Sequence, residues 1–532
     1  MPLTTTLPFD QIPHFSKRDK AYQMGDSNLR DFYEHEVDIE AFAQVIEQRQ
    51  KFNTDRRLLK KVITTQYAHD TVGSTLQANL DDLDSEKTFT IITAHQPSLL
   101  TGPLYYIIKI CSTISLCRRL TSHYQGYRFV PTFVSGGEDH DFEEIASLHF
   151  FNKTFTWATD QKGAVGRMSL DGIEEVLAQV TDTFGNLPHA QDLKDIIATA
   201  VSKSDNYGAF MRQLTHALFG HYGLMIVNMD EPIFKQAFLP YVLEDLDHEH
   251  SHRLVNKDQK ALESVGYKSQ AHAREVNIFV HKEDRLRIVK DQDSYAIGST
   301  TYTKDALIDL LKDKPGDISP NVVLRPIYQE LILPNLAYVG GGGELSYWME
   351  RTSLFSHWKI PFPMLVRRDS ALIIESKESD NLVKLGMTVG DLFQREDHII
   401  IDYTKSQSEE DLNLDIEKKE AQILFEKLLL RIEQVDASLK GAVKAEESKL
   451  IKAMDNIENK MIKAEKRKNE VQINRIKKLK NKLFPNNDSL QERYENFIPF
   501  YLKYGDTFIS TLISSLDPLN KDFKIIELTL DD

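Results

Sequence analysis

Apolar and β-branched residues gather in short runs that each end in a polar loop. Phe89, Thr90, Ile91, Ile92 and Thr93 form the first run, which suits a strand buried on both faces. Ala94, His95 and Gln96 follow, Pro97, Gly102 and Pro103 break the chain, and Leu104, Ile107, Ile108, Cys111 and Ile114 then step at helical spacing. The second run holds Phe129, Val130, Phe133 and Val134, after which Gly136 and Gly137 turn the chain into Glu138, Asp139, His140 and Asp141. A third lies at 223–230. In the fourth, Ala337, Tyr338 and Val339 lead into Gly340, Gly341, Gly342 and Gly343, and Glu344 opens a helix. The fifth, at 363–368, ends in Arg367 and Arg368. Repeated strand–loop–helix units predict an open α/β sheet, whose ligands bind beside the carboxyl ends of its strands.

Between these units the pattern changes. Residues 1–85 read as a helical layer covering the sheet. Residues 152–206 are turn-rich with short helices, and 276–303 look like short antiparallel strands, so both read as insertions. The sheet is expected to resume near 317, where Asn321 and Arg325 flank a short apolar run. The segment 248–252 carries His248, His250 and His252. On one helix the first and last share a face and His250 does not, which favours a solvated surface over a metal site.

From 408 to 483 Gly and Pro almost vanish. Phe425, Leu428, Ile432, Val435, Leu439 and Ala442 alternate steps of three and four. Leu450, Met454, Ile457, Met461, Ala464 and Val471 continue after a stutter. This is a coiled-coil seam, and a continuous helix of ~75 residues would be roughly 110 Å long. A lone helix cannot bury such a stripe, so it folds back as a hairpin or pairs with a second subunit. The expected organisation is a core at 1–151, 207–270 and 311–405, insertions at 152–206 and 271–310, a coiled coil at 406–484 and a tail at 485–532 that packs back on the core.

Charge and cysteine usage narrow the function. Sixty-five Lys and Arg against 80 Asp and Glu leave a formal charge of −15, which argues against a whole chain that coats nucleic acid or anionic membrane. Residues 440–482 reverse the balance, with 14 basic against 6 acidic residues. That is first a solvated helix face, with a tRNA-binding arm as the alternative. Two cysteines, Cys111 and Cys117, exclude a disulfide framework and a Cys-rich zinc site. No apolar run reaches the ~20 residues needed to span a bilayer, and the first ten residues lack a signal-peptide pattern. A soluble, cytoplasmic protein with no membrane partner is expected. The four glycines lack both the P-loop Lys-Ser/Thr and the GxGxxG spacing, so their place between strand and helix is what marks them as a ligand loop.

The stretches HQPSLLTGPLYYIIKI, FVSGGEDHDFEEI, ISPNVVLRPIYQELILPNLAYVGGGGELSYW and LQERYENFIPFYLKYG resemble, in the same order, those of the bacillithiol biosynthesis cysteine-adding enzymes, a family of cysteine ligases. The likeness runs from about residue 90 to the C-terminus. In one respect the chain departs from the pattern. Many members have Gly-Gln-Gln where this chain has Ala94-His95-Gln96, so position 95 is not fixed.

The resemblance implies a Rossmann-like core with two inserted segments, and a C-terminal coiled coil that makes a homodimer. It implies the joining of cysteine to the amine of glucosaminyl malate, the last step of bacillithiol synthesis. ATP is then the expected activator of the cysteine carboxylate, with Mg²⁺ as a candidate companion. On that footing His95, Asp139 and His140 are the candidate catalytic residues. Gln96, Thr101, Gly102, Glu138, Asp141, Asn321, Arg325, Glu344, Tyr347 and Arg367 are candidates for substrate. Gly340 to Gly343, Arg493 and Asn496 are candidates for the nucleotide. Lys109 is a further candidate for the phosphates, and no resident metal ligands are assigned.

Overall fold

The structure is a computed structural model that describes residues 3–529. Five strands, β1 (Thr88–His95), β2 (Arg128–Ser135), β3 (Met225–Asn228), β4 (Asn335–Gly340) and β5 (Met364–Arg367), form one parallel sheet in the order β5-β4-β1-β2-β3. The helices needed below are α1 (Lys17–Met24), α2 (Tyr105–His123), α3 (Pro232–His248), α4 (His250–Ser264), α5 (Gly342–Trp348) and α6 (Thr352–Trp358). The central strand β1 is buried from Thr88 to Thr93, and the Thr93 hydroxyl donates to Val339 O at 2.7 Å. β1 pairs with β2 from Thr88–Arg128 to His95–Ser135, so both strands end at one rim. The chain winds outward through β2 and β3, then returns to lay β4 on the other side of β1. The strand order therefore reverses between β1 and β4, and a Rossmann-like sheet opens a crevice at that reversal.

Helix α2 is apolar on nearly every face because it lies between the sheet and the helix Asp506–Ser515. The tail supplies that outer cover: Phe497, Ile498, Phe508 and Ile509 are buried. Phe523–Leu528 then pairs antiparallel with Leu3–Leu7, joining the two ends of the described chain.

Two expectations change. The run at 317–326 does not rejoin the main sheet. Ile318–Pro320 instead pairs antiparallel with Ile278–His281 and ends a separate five-stranded sheet that also holds Arg285–Asp291, Ser294–Ile297 and Thr300–Thr303. Pro320 cannot donate to a ladder, which suits an edge position. The boundary at 151/152 also cuts a hairpin, since Ser147–Phe150 and Lys153–Thr156 are partners and Phe151 and Asn152 make the turn with positive φ.

The chain divides into two compact units, Met1–Ile373 with Gln491–Asp532, and Ile374–Leu490. The break at Ile374 precedes the expected 406. Within the second unit the rod is folded in half. Asp415–Glu433 and Lys440–Lys468 lie antiparallel, tied by Lys418 to Asp455 and Glu458 at 2.7 Å each. The turn has neither Gly nor Pro; Asp436 makes it by accepting the Ser438 N–H at 2.8 Å. Val435, assigned to the seam by its spacing, is 83% exposed at this bend. Glu470–Leu483 follows after a break at Asn469.

Candidate active site

A cavity of about 1150 Å³ lies at the carboxyl ends of β1, β2 and β4. It is wider than the ~300–1,000 Å³ usual for a single small ligand.

His95 ends β1 and faces this cavity. Its Nδ1 lies 2.9 Å from the Gln96 carbonyl, which can only accept, so Nδ1 carries the proton and Nε2 offers a lone pair. The Tyr105 hydroxyl, 3.1 Å away, then donates to Nε2. Burial, with the Lys109 ammonium nearby, lowers the imidazole to about 4, so the ring is neutral at physiological pH. Tyr105 is the first residue of α2 and lines the cavity, and the Arg368 guanidinium lies 5.3 Å from its ring centre.

Thr101 and Gly102 do not reach the cavity. Leu100, Thr101 and Gly102 all have positive φ, in a turn below the floor. Asn496, expected at the nucleotide, holds that turn instead: its amide donates to Leu100 O at 3.0 Å and Gly102 O at 2.6 Å. A side chain at 102 would strike Ser98, 2.7 Å from a Cβ.

The acidic loop after β2 splits by direction. Asp139 lines the cavity, with Arg285 at 3.6 Å and Arg325 at 3.7 Å. Burial raises its carboxyl, but Arg325, Arg285 and the Gln96 amide outweigh that and hold it below its usual range. Glu138 also borders the cavity, but its carboxylate is turned to the Lys235 ammonium at 2.8 Å and His281 at 3.5 Å. Lys235 also pairs with Asp230. Its ammonium thus sits among Glu138, Asp230 and His281, where a divalent ion would otherwise fit. His140 is 53% exposed and accepts from Arg285 at Nδ1, and Asp141 is exposed; neither lines the cavity, contrary to expectation.

The glycine loop lies opposite. Gly341, Gly342 and Gly343 line the cavity, whereas Gly340 ends β4 and packs against the Tyr338 ring. A Cβ at 342 would fall 2.1 Å from the Asp19 carboxyl carbon, and one at 343 would meet nothing. Glu344 was expected to meet substrate, but its carboxylate is already filled. It accepts from Gly341 N at 2.8 Å, Tyr338 OH at 2.9 Å and Lys109 Nζ at 2.8 Å to both oxygens. Lys109 donates as well to Ala94 O at 2.5 Å. This pair clamps the end of β1 to the glycine loop across the strand reversal. Tyr347 lines the cavity with Arg351 5.1 Å from its ring centre.

Among the arginines, Arg367 is committed. It holds Asp19 through two bonds of 2.8 and 3.1 Å, beside the stacked Phe9 and Phe15 rings. Arg368 pairs with Glu492 at 2.9 Å. Arg325 and Arg493 retain donors. Among the described residues no side-chain hydrogen bond engages the Arg325 guanidinium, and Arg493 donates to His14 O at 3.2 Å. Asn321 is buried away from the cavity, donating to Asn277 and accepting the Val323 N–H. Its apolar neighbours lead into the helix Arg325–Ile332.

The sequence reading missed Tyr105, Glu144 and the segment 14–19, all on the cavity wall. Tyr105 lay inside a stretch already singled out, as the first helical residue after the loop. The cap at Ser16, which accepts the Asp19 N–H at 3.2 Å, announces a helix start but not where the helix docks.

The chain matches two family models in succession: the Bacillithiol biosynthesis BshC N-terminal Rossmann-like domain over residues 5–369, and the BshC C-terminal coiled-coil domain over 371–528. Relatives named "Putative cysteine ligase BshC" include a Flavobacterium johnsoniae protein, 37% identical over 99% of this chain and all of its own length. A Christiangramia forsetii protein is 37% identical over 98% of this chain and 99% of its own. One from Bacillus cereus is 26% identical over 93% and 95%. A solved structure titled "Crystal structure of putative arginyl t-RNA synthetase from Campylobacter jejuni" covers 87% of this chain and 98% of its own at 9% identity, with a TM-score of 0.20, too slight a likeness to bear on function. The two matched models and the full-length relatives together make this chain a member of the bacillithiol biosynthesis BshC family.

Proposed function

We propose that this chain is a ligase that joins cysteine to the amine of glucosaminyl malate, as the last step of bacillithiol synthesis, with ATP activating the cysteine carboxylate. The observation that carries the reading is the convergence of the loops after β1, β2 and β4 on one cavity at the strand reversal. A carboxylate is a poor acylating group because oxide is a poor leaving group. In the proposed route a cysteine carboxylate oxygen bonds to the α-phosphorus of ATP and pyrophosphate leaves. The sugar amine then attacks the acyl carbon, AMP leaves with the C–O electron pair, and the amine loses one proton.

The side chains support distinct parts of this route. Arg325 and Arg493 retain donors for phosphate or malate oxygens, and bidentate geometry suits both anions. Gly343 leaves room for a ligand to approach the backbone. Tyr105 and neutral His95 form one hydrogen-bonded unit in the wall. Asp139, held below its usual range, is a poor base and a good partner for the cysteine ammonium. Glu144 is the better-matched base: burial raises its carboxyl, and the nearby charges of Asp141 and Asp139 raise it further. Asp19, Glu138, Asp139 and Glu344 each face a protein cation. That donor set does not favour Mg²⁺, and no step is assigned to it. A dimer through the helical hairpin accompanies this reading, because Leu424, Leu428 and Ile457 remain exposed there.

Cysteine-dependent exchange of pyrophosphate into ATP tests the reading. Exchange that needs cysteine and falls at least tenfold in Arg325→Met supports it. Product formation without such exchange would rule out the adenylate route.

A further inference from the structure

A second cluster of ligating groups lies on the helices α3, α4 and α6. Glu244 Oε1 is 3.4 Å from His250 Nε2 and 3.4 Å from His357 Nε2. The two imidazole rings lie 4.0 Å apart between centres. All three ligand atoms lie within 4.8 Å of one another. From this convergence we propose that Glu244, His250 and His357 bind a divalent transition-metal ion, zinc by preference, in a site distinct from the proposed active site.

The two Glu244–histidine distances, both 3.4 Å, are long for hydrogen bonds and match the edge of a tetrahedral site. N–H···O bonds cluster near 2.9–3.0 Å. A tetrahedral zinc with bonds of about 2.0–2.1 Å has ligand atoms roughly 3.4 Å apart. Two imidazoles and one carboxylate are a common zinc donor set, with the fourth position taken by water or a further side chain. His248 is near enough to serve, its ring centre 5.2 Å from that of His250.

Sequence spacing hid the site because the histidines were placed on one helix. The helix ends at His248, Glu249 takes a positive φ of 52°, and a new helix starts at His250. Asp245 fixes the bend, accepting from the Ser251 amide and hydroxyl at 2.6 Å each, and both residues are buried. The bend points His250 at Glu244, and His357 arrives from α6. One rearrangement is needed. Arg253 donates to His250 Nδ1 at 3.1 Å, which leaves the proton on Nε2. On binding, that proton moves to Nδ1 and the exposed Arg253 swings away. The ion would tie α6 to the α3–α4 bend.

The test uses the full-length protein, stripped with a chelator and titrated with Co²⁺ and then Zn²⁺. The expected result is one Co²⁺ per chain with a tetrahedral visible spectrum, displaced by Zn²⁺. His357→Ala and the exposed Glu244→Gln should each weaken binding by more than about 100-fold, beyond the 10–100-fold typical of lost outer partners. His123→Ala, outside the cluster, should bind as the wild type does. Circular dichroism confirms that each variant is folded, and either one suffices if the other is not. An octahedral spectrum, no stoichiometric binding, or equal affinity in the cluster variants and wild type would overturn the site.

Discussion

His95 and Tyr105 show how much one hydrogen bond can fix at the scale of a residue. The Gln96 carbonyl sets the tautomer, the tautomer makes Nε2 an acceptor, and the acceptor orients the Tyr105 hydroxyl. Any side chain that accepts at that point should serve. His95→Gln should therefore keep activity within about tenfold. His95→Leu leaves the tyrosine hydroxyl without its partner, a loss of about 1–3 kcal/mol, or roughly 10–100-fold in kcat/KM. Steady-state kinetics on purified variants checks both, and equal losses would remove the acceptor role. The pH dependence has a definite sign. His95 has a folded value of about 4 against an ordinary 6.5, so between these the unfolded chain binds a proton that the folded chain does not. Stability should be fully present above pH 6.5 and fall as the pH drops toward 4. Calorimetric unfolding across that range should show a shallower slope for His95→Gln. His95 and Asp139 were legible because a strand end followed by polar residues is a local pattern. Tyr105 carried the same signal, but its partner ten residues upstream is set by the turn between them.

At the scale of elements, the Lys109–Glu344 pair joins α2 to α5, two helices that start from different strands. Breaking a buried pair strands a charge, and Glu344 is partly exposed, so the full penalty of about 3–5 kcal/mol is reduced. Lys109→Met should cost about 2–3 kcal/mol in urea unfolding and leave the glycine loop unpinned. A change below about 0.5 kcal/mol would show that the clamp does not matter. The strands of the sheet were legible because burial on both faces leaves unbroken apolar runs. Ile318–Pro320 was not: a strand of only three residues suits either sheet, and only its partner Ile278–His281 decides. That the coiled coil could fold back on itself was legible, but the place was not, because the heptad spacing continues through Asp436 and no glycine or proline marks the turn.

At the scale of the molecule, two long-range dockings complete the cavity wall. The segment at 14–19 arrives from the N-terminus, fixed by the Asp19–Arg367 pair, and Arg493 arrives from the tail. Neither could be read locally, since each is set by contacts hundreds of residues away. The helical hairpin also presents Leu424, Leu428 and Ile457 without cover within the described chain. Large exposed apolar side chains on one element are what a self-association face offers, and the dimer proposed above would cover them. Sedimentation should give a dimer for the wild type and a monomer for the double variant Leu424→Glu with Leu428→Glu. A wild-type monomer at micromolar concentration would end the dimer proposal.

The cavity between β1, β2 and β4 is tested most directly by a crystal soaked with cysteine and a non-hydrolysable ATP analogue. Density for both is expected in that cavity, with the phosphates against Arg325, Arg493 or the open backbone at Gly343 and the cysteine ammonium near Asp139. Ordered ligands found only on another surface of the protein, with this cavity empty, would contradict the account.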